Sequence, residues 1–356
     1  MVAQAAGLVA KHFHPRELRA LVLLGGYGRG EGGIYYDNDL ERPHNNIDLL
    51  LITTPWGALR KHALKQRLDD VLRPIVEQEE IGIDTGVISA LELQNAHARV
   101  IWFDLRWGHR TILGDASLIP ALPPLTAAEI EIDDIHNLLV NRASLLVIND
   151  AIIERGIASA NDARFITKHL MKAIIGHGDV FLFLRGRYHA SYLEKQKRMR
   201  EFAAMVPDLA ELYEIASTFR FAPDYEQYMN CDLVAYTEHI RVILAQTYRD
   251  FELFQAGRGQ AGNPELKDRG FHSKSWLRAI CTGHHARTLL ARTLPTVLHD
   301  SNDEQRQRTQ RLLAAEASTP SALRKAYLRH WSRYGDPNFS KTAHQLGLSL
   351  DEAREP

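Results

Sequence analysis

The segment at residues 21–33, LVLLGGYGRGEGG, changes abruptly from an uninterrupted apolar run to a stretch with six glycines. An apolar run of this length that ends at glycine is typical of a strand buried on both faces. Consecutive glycines let backbone N–H groups point at one spot with no side chain in the way, which builds a site for an anion. Arg29 adds a cation suited to phosphate oxygens. On this stretch alone, a plain tight turn remains the simpler interpretation.

Two further apolar runs each contain one acidic residue. Asp48 lies in IDLLLIT at 47–53, and Asp84 lies in IGIDTGVIS at 81–89. Asn46 precedes Asp48 by two residues, so both side chains face the same side of a strand. An ionised carboxylate inside a sheet is costly unless it is paired or bound to a metal. Two such residues near a glycine turn predict a magnesium site that faces a polyphosphate.

The order of the elements predicts an α+β protein with two domains. Apolar residues recur at helical spacing in 57–80, and VIWFDLRWG and RTILGD suggest a hairpin or two short strands. The prolines of IPALPPLT can continue neither a sheet nor a helix, so we place a boundary there, between residues 1–122 and 123–356. We expect a small mixed sheet packed on a C-terminal all-helical domain. Its helices are predicted at 127–149, with a capping box of Thr126 and Glu129, and at 161–186, 190–205, 208–219, 228–255, 273–293, 303–315 and 320–333.

Composition narrows the classes of function. A chain of 356 residues fits two domains. A net charge of -1 argues against broad binding to nucleic acid or to an anionic membrane. Two cysteines, neither in a CxxC pair, predict a reducing compartment, the cytoplasm, and no zinc site of the cysteine type. No apolar stretch reaches the ~18 residues of a membrane span.

Three motifs taken together, GGYGRGE, NNIDLLLI and IGIDTGV, resemble the nucleotidyltransferase superfamily that includes polymerase β, kanamycin-type nucleotidyltransferases and the minimal nucleotidyltransferases of toxin–antitoxin pairs. The resemblance covers about residues 18 to 115. It implies that Gly25 and Gly26 hold the β- and γ-phosphates through backbone N–H groups. It also implies that Asp48 is a magnesium ligand and that Asp84 is a ligand and possible general base.

The function implied by the resemblance is Mg²⁺- or Mn²⁺-dependent transfer of a nucleoside monophosphate, most simply AMP from ATP. The acceptor would be a hydroxyl on a small molecule, a protein or an RNA end, and the near-neutral charge counts against long RNA. In two-domain transferases the helical domain closes the cleft, so Lys168 is expected at the triphosphate and Tyr192 at the base or ribose. For each residue singly, a solvated lysine or a core tyrosine is the simpler alternative.

The chain departs from the family pattern at Asn46, where the family has an acidic residue. An amide oxygen is a weaker ligand for a hard cation than a carboxylate. Three outcomes follow: an enzyme with one weakened metal site, an enzyme that borrows a carboxylate such as Glu31, Asp37 or Asp39, or a non-catalytic nucleotide-binding protein that acts as a sensor or partner-binding module.

A third class of function comes from RFITKH at 164–169, which fits the R-x4-6-H spacing of a ribonuclease motif found in helical partners of minimal nucleotidyltransferases. The chain has 17 histidines and many arginines, so chance alone gives several such spacings. We therefore discount the motif. A ribonuclease would lose RNA cleavage in His169→Ala.

Overall fold

A computed structural model describes residues 1–37, 40–255, 257, 284–299, 301–335 and 339–348. The chain divides into two compact units. Unit 1 consists of Met1–Glu131, Arg187–Arg198 and Ser217–Pro223, and unit 2 consists of Ile132–Gly186, Met199–Ala216 and Asp224–Pro356. The boundary predicted at residue 122 lies inside unit 1, which also includes two short segments from the predicted helical domain.

Unit 1 contains a mixed four-stranded sheet and a separate two-stranded hairpin. The strands are β1 (Leu18–Leu23), β2 (Ile34–Asp37), β3 (Leu40–Pro43), β4 (Ile47–Thr53), β5 (Ile83–Ser89) and β6 (Arg110–Gly114). The main sheet has the order β5-β4-β1-β6, in which β4 and β5 are parallel and the other pairs are antiparallel. The three strands predicted from the apolar runs are confirmed, as is the α+β class.

The hairpin of β2 and β3 was not predicted. It occupies the segment between the glycine turn and β4, and its strands pair from Ile34 opposite Pro43 to Asp37 opposite Leu40. Tyr36 and Leu40 are largely exposed. The strands read IYYD and LERP, in which apolar and polar residues do not alternate. The sequence pattern that identifies a half-buried strand is missing from this segment.

The helices of unit 1 flank the sheet, and one of them corrects a prediction. They are α1 (Val2–His12), α2 (Gly25–Gly28), α3 (Pro55–Ala58), α4 (Lys61–Glu79), α5 (Ala90–Gln94) and α6 (Val100–Trp107). Residues 100–107 were expected to form a strand, but they form α6, which ends where the Gly108 N–H binds the Asp104 carbonyl. A short apolar run does not distinguish a strand from a helix by its period. The helix predicted at 57–80 is interrupted between α3 and α4.

Two hydrophobic cores cover the two faces of the sheet. Leu49 and Leu51 of β4 pack with residues of α1 and α4. Leu50 and Ile52 point to the opposite face and pack with residues that include Leu93 of α5 and Leu105 of α6. Side chains alternate along a strand, so Asp48 shares the face of Leu50 and Ile52. The sheet therefore presents Asp48 at the start of β4, beside the second core.

Unit 2 contains helices and no strand among its described residues. Its helical segments come from α7 (Ile132–Arg155), α8 (Ala160–Leu184), α9 (Tyr192–Arg200), α10 (Pro207–Phe221), α11 (Glu226–Met229), α12 (Leu233–Gln255), α13 (His284–Leu298), α14 (Asp303–Leu312), α15 (Pro320–Tyr334) and α16 (Phe339–Gln345). Most of α9 and the end of α10 belong to unit 1. The predicted helix at 273–293 lies outside the described residues up to 283. No helix in the described ranges is both long and apolar enough to cross a bilayer.

The capping box predicted at Thr126 and Glu129 forms, because the Glu129 carboxylate accepts hydrogen bonds from the Thr126 backbone N–H and hydroxyl. It caps a single 3₁₀ turn, Ala127–Glu129, rather than a long helix. Helix α7 begins only at Ile132, with Asp133 and Asp134 in its first turn. Acidic side chains at this end interact favourably with the helix dipole.

Candidate functional site

The two carboxylates predicted as metal ligands lie side by side on neighbouring strands. Asp48 of β4 is in register with Asp84 of β5, and the two strands are parallel. Residues paired in this way project from the same face of a sheet, with backbones about 4.8 Å apart. Asp84 is exposed and Asp48 is half-buried. Both side chains therefore stand together at the end of the sheet where β4 and β5 begin.

The glycine turn lies directly against Asp48. Gly25 has a φ of +62°, and a Cβ added to it would lie 2.3 Å from Asp48 Oδ2. The backbone N–H of Leu24 donates to the carbonyl of Asp48 at 2.9 Å. Gly25 begins the short helical turn α2, whose first N–H groups have no partner within the turn itself. Only glycine gives the carboxylate room to lie beside the start of this turn.

Asn46 joins the pair through its amide. Its Nδ2 donates a hydrogen bond to Asp84 Oδ2 at 3.1 Å. A Cβ on Gly82 would lie 2.7 Å from the amide carbon of Asn46, so a side chain at position 82 would displace this amide. The described residues contain no group of three or more His, Cys, Asp or Glu side chains placed to hold a metal. The donor set here is two carboxylates and one amide oxygen, which suits a hard divalent cation but is weaker than three carboxylates.

Of the acidic residues considered as substitutes for Asn46, Glu31 already binds other groups. Glu31 is buried; its carboxylate accepts a hydrogen bond from the Ser191 hydroxyl and another, at 3.0 Å, from the Tyr192 backbone N–H. Asp37 ends strand β2. Asp39 lies outside the described residues. Glu31 therefore anchors the start of α9.

Three cationic side chains surround the ring of Tyr192. Arg220 Cζ lies 3.9 Å from the ring centroid, Lys195 Nζ lies 4.1 Å from it and Arg29 Cζ lies 5.4 Å from it. Lys195 is only 1% exposed. All of these residues belong to unit 1. The ring is thus the centre of a concentrated positive charge.

Arg29 is balanced by two carboxylates. Its Nε lies 3.5 Å from Glu31 Oε2, and its Nη1 lies 3.6 Å from Asp104 Oδ2. Burial by itself would lower the pKa of Arg29, but Asp104, Tyr192 and Glu31 outweigh it, so the pKa lies above its ordinary value. Arg29 therefore stays fully charged in this buried position.

The sequence patterns did not lead us to predict Arg220, Lys195 or Asp104 as site residues. Asp104 is a lone acidic residue in an apolar run, which is the same signal that identified Asp84. Lys195 lies in the segment YLEKQKRMR, which looks like a solvated basic helix. Arg220 follows a predicted helix and carries no local signal. Lys195 follows Tyr192 by three residues in α9, whereas only the tertiary structure brings Arg220 to the ring.

Lys168, predicted at the triphosphate, lies in α8 of unit 2. Burial lowers the pKa of its amine.

In the same helix as Lys168, His169 Nδ1 lies 2.8 Å from Asn149 Oδ1, and burial lowers the pKa of His169 to about 3. A histidine that is buried, paired and neutral is poorly suited to acid–base catalysis on RNA. These observations give the ribonuclease motif no support.

A carboxylate and a cation contact adjacent residues of the glycine turn. Asp48 lies against Gly25, while Arg220 Nη2 lies 3.0 Å from the position of a Cβ on the next residue, Gly26. Such a site is suited chemically to a phosphate ligand that is held by cations on one side and by a carboxylate-bound metal on the other.

Comparisons of the chain with protein-family models, with curated proteins and with solved structures found no match.

Proposed function

We propose that the protein is a nucleotidyltransferase that moves a nucleoside monophosphate, most simply AMP from ATP, to a hydroxyl acceptor. The observation that carries the proposal is the pairing of Asp48 with Asp84 on parallel strands, with the Asp48 carboxylate against Gly25. The resemblance of the three sequence motifs supports the same function. The acceptor is a small molecule, a protein side chain or an RNA end. The two cysteines favour a cytoplasmic location.

In this reaction the acceptor oxygen attacks the α-phosphorus. A new O–P bond forms, the bond between the α-phosphorus and the bridging oxygen breaks, and pyrophosphate leaves. Asp84 is exposed, so it can receive the proton of the acceptor hydroxyl. Gly25 and Gly26 offer backbone N–H groups to phosphate oxygens, and Arg29 and Arg220 offset the negative charge of the polyphosphate.

Asp48, Asp84 and the amide oxygen of Asn46 are the residues that would hold Mg²⁺ or Mn²⁺. When bound, such an ion neutralises charge on the reacting phosphate and on the leaving pyrophosphate. The carboxylates have the oxygen chemistry that these ions require.

A second candidate is a non-catalytic nucleotide-binding protein that acts as a sensor or partner-binding module. The hydrogen bond from Asn46 Nδ2 to Asp84 Oδ2 favours it, because the amide here acts as a donor to the carboxylate. A carboxylate at position 46 would instead repel Asp84 and require a cation between them. The two candidates are therefore separated by comparing the wild type with Asn46→Asp.

The first experiment measures pyrophosphate release from ATP with Mg²⁺ or Mn²⁺ and candidate acceptors. We expect Asp48→Asn and Asp84→Asn each to reduce release by about 100-fold or more, since each removes a charged ligand from the reacting centre. Asp70→Asn is the matched control, because Asp70 is an exposed carboxylate in α4 that pairs with Arg73. Equal activity in all three variants would contradict the proposal.

Asn46→Asp separates the two candidates. If the wild type releases pyrophosphate, the protein is an enzyme, and we expect the added carboxylate to strengthen Mn²⁺ binding. If the wild type binds nucleotide without releasing pyrophosphate and Asn46→Asp does release it, the non-catalytic candidate is correct. Mn²⁺ affinity, measured by electron paramagnetic resonance, is read alongside activity.

A further inference from the structure

The cations around Tyr192 differ in how their charge is balanced. Arg29 faces the carboxylates of Glu31 and Asp104. The Nε of Arg220 is buried without a hydrogen-bond acceptor, and its Cζ lies 3.9 Å from the centroid of the Tyr192 ring. A buried guanidinium donor without an acceptor is costly. An anionic ligand would supply the acceptor that Arg220 lacks.

Two glycines place Arg220 against the glycine turn. Its Nη2 would be 3.0 Å from a Cβ on Gly26, and its carbonyl oxygen would be 2.0 Å from a Cβ on Gly33. Gly26 follows Gly25, which contacts Asp48 in the same way. Arg220 therefore lies directly against the glycine turn.

Tyr192 supports this cation rather than a nucleotide base. Arg220 Cζ and Lys195 Nζ lie 3.9 Å and 4.1 Å from its ring centroid, which is the distance of cation–π contacts. These contacts favour a role for Tyr192 at the phosphates over the one expected at the base or ribose.

We propose that Tyr192 is a positioning residue that holds Arg220 at the glycine turn, with Lys195 against the same ring, and that Arg220 binds the polyphosphate end of the ligand. This inference rests on the proposed function and adds the residues that select a polyphosphate. The planar guanidinium contacts two phosphate oxygens at once. The tyrosine ring acts only through the cations that it holds.

The test is binding of inorganic tripolyphosphate to the full chain, measured by calorimetry without divalent metal. We expect Arg220→Gln to weaken binding by about tenfold or more, since it removes a charge-assisted contact. Tyr192→Leu should weaken binding by a similar factor, whereas Tyr192→Phe should bind as the wild type does, because it keeps the ring. Arg73→Gln is the control for an equal change of charge on an exposed arginine, and it should have no effect. Thermal unfolding checks that each variant is folded.

Several outcomes would overturn the inference: no binding of tripolyphosphate by the wild type, unchanged binding in Arg220→Gln, or unchanged binding in Tyr192→Leu. Equal losses in Tyr192→Phe and Tyr192→Leu would also overturn it, because the hydroxyl and not the ring would then matter. Nucleotidyl transfer is not needed for this readout. If tripolyphosphate binds as expected and no pyrophosphate is ever released from ATP, the proposed reaction fails and the inference stands.

Discussion

Gly25 connects backbone conformation to the position of a candidate metal ligand. Its positive φ of +62° disfavours every residue with a side chain, and its Cα lies beside the Asp48 carboxylate. The two demands have different origins, since the first is local and the second depends on the neighbouring strand. Gly30 has a similar φ of +76° but has open space around it. Comparing these two glycines separates the two effects.

We expect Gly25→Ala to destabilise unit 1 more than Gly30→Ala does. Both substitutions carry a backbone cost of about 1 kcal/mol for the left-handed conformation. Only Gly25→Ala adds a clash with Asp48, which has to move. Urea unfolding measures the stability. Mn²⁺ binding reports the displacement of the carboxylate, and the Mn²⁺ affinity should fall only in Gly25→Ala. Equal effects of the two substitutions on both measurements would show that Asp48 does not depend on Gly25.

At the scale of elements, helix α9 depends on a carboxylate far away in the sequence. Glu31 accepts hydrogen bonds from the Ser191 hydroxyl and the Tyr192 backbone N–H, which lie at the start of this helix. The first N–H groups of any helix need such acceptors. The same carboxylate pairs with Arg29. Glu31 thus links the glycine-rich segment to the helix that carries Tyr192.

We expect Glu31→Ala to lower the free energy of unfolding by about 2 to 3 kcal/mol, because it removes charge-assisted hydrogen bonds from a buried position. Glu41→Ala is the matched control: Glu41 is exposed on the hairpin and accepts one hydrogen bond from Tyr36 at 3.1 Å. Its loss should cost less than about 0.5 kcal/mol. Urea unfolding of both variants tests this, and a control that loses as much as Glu31→Ala would contradict the anchoring role.

The sequence could predict the elements whose signal is local. Strand β4 has the predicted bounds because its apolar run is continuous, and Asp48 and Asp84 are conspicuous as single carboxylates in such runs. Helix α6 was missed because a short apolar run fits either period. Arg220 could not be found, since nothing near it in the sequence indicates that it meets the ring of Tyr192. Long-range contacts of this kind are set by tertiary packing.

Taken over the whole molecule, burial disfavours the charged form of several titratable groups in unit 2. Burial lowers the pKa of His136 to about 4, of His169 to about 3 and of His177 to about 4. All three lie in α7 and α8. Burial also raises the pKa of Asp150 and Glu252, which has the opposite effect on stability as the pH falls. The three histidines outnumber the two carboxylates.

We expect the stability of unit 2 to fall as the pH decreases from about 6.5 to 4. In this window the unfolded chain binds a proton at each histidine, with an ordinary pKa near 6.5, while the folded chain does not. The stabilisation is therefore present above pH 6.5 and is lost as the pH falls towards the folded pKa values. Each histidine contributes a slope of about 1.4 kcal/mol per pH unit.

His177→Gln tests the contribution of one of these groups. Its side chain is 2% exposed, and its Nδ1 lies 2.8 Å from the Ala173 carbonyl oxygen, a contact that a glutamine amide can replace. Because glutamine does not titrate, the variant should take up about one proton fewer than the wild type on unfolding between pH 5 and 6. Urea unfolding at a series of pH values gives the slope, and His12→Gln, at an exposed position, is the control. An unchanged slope in His177→Gln would mean that this histidine is already protonated in the folded protein.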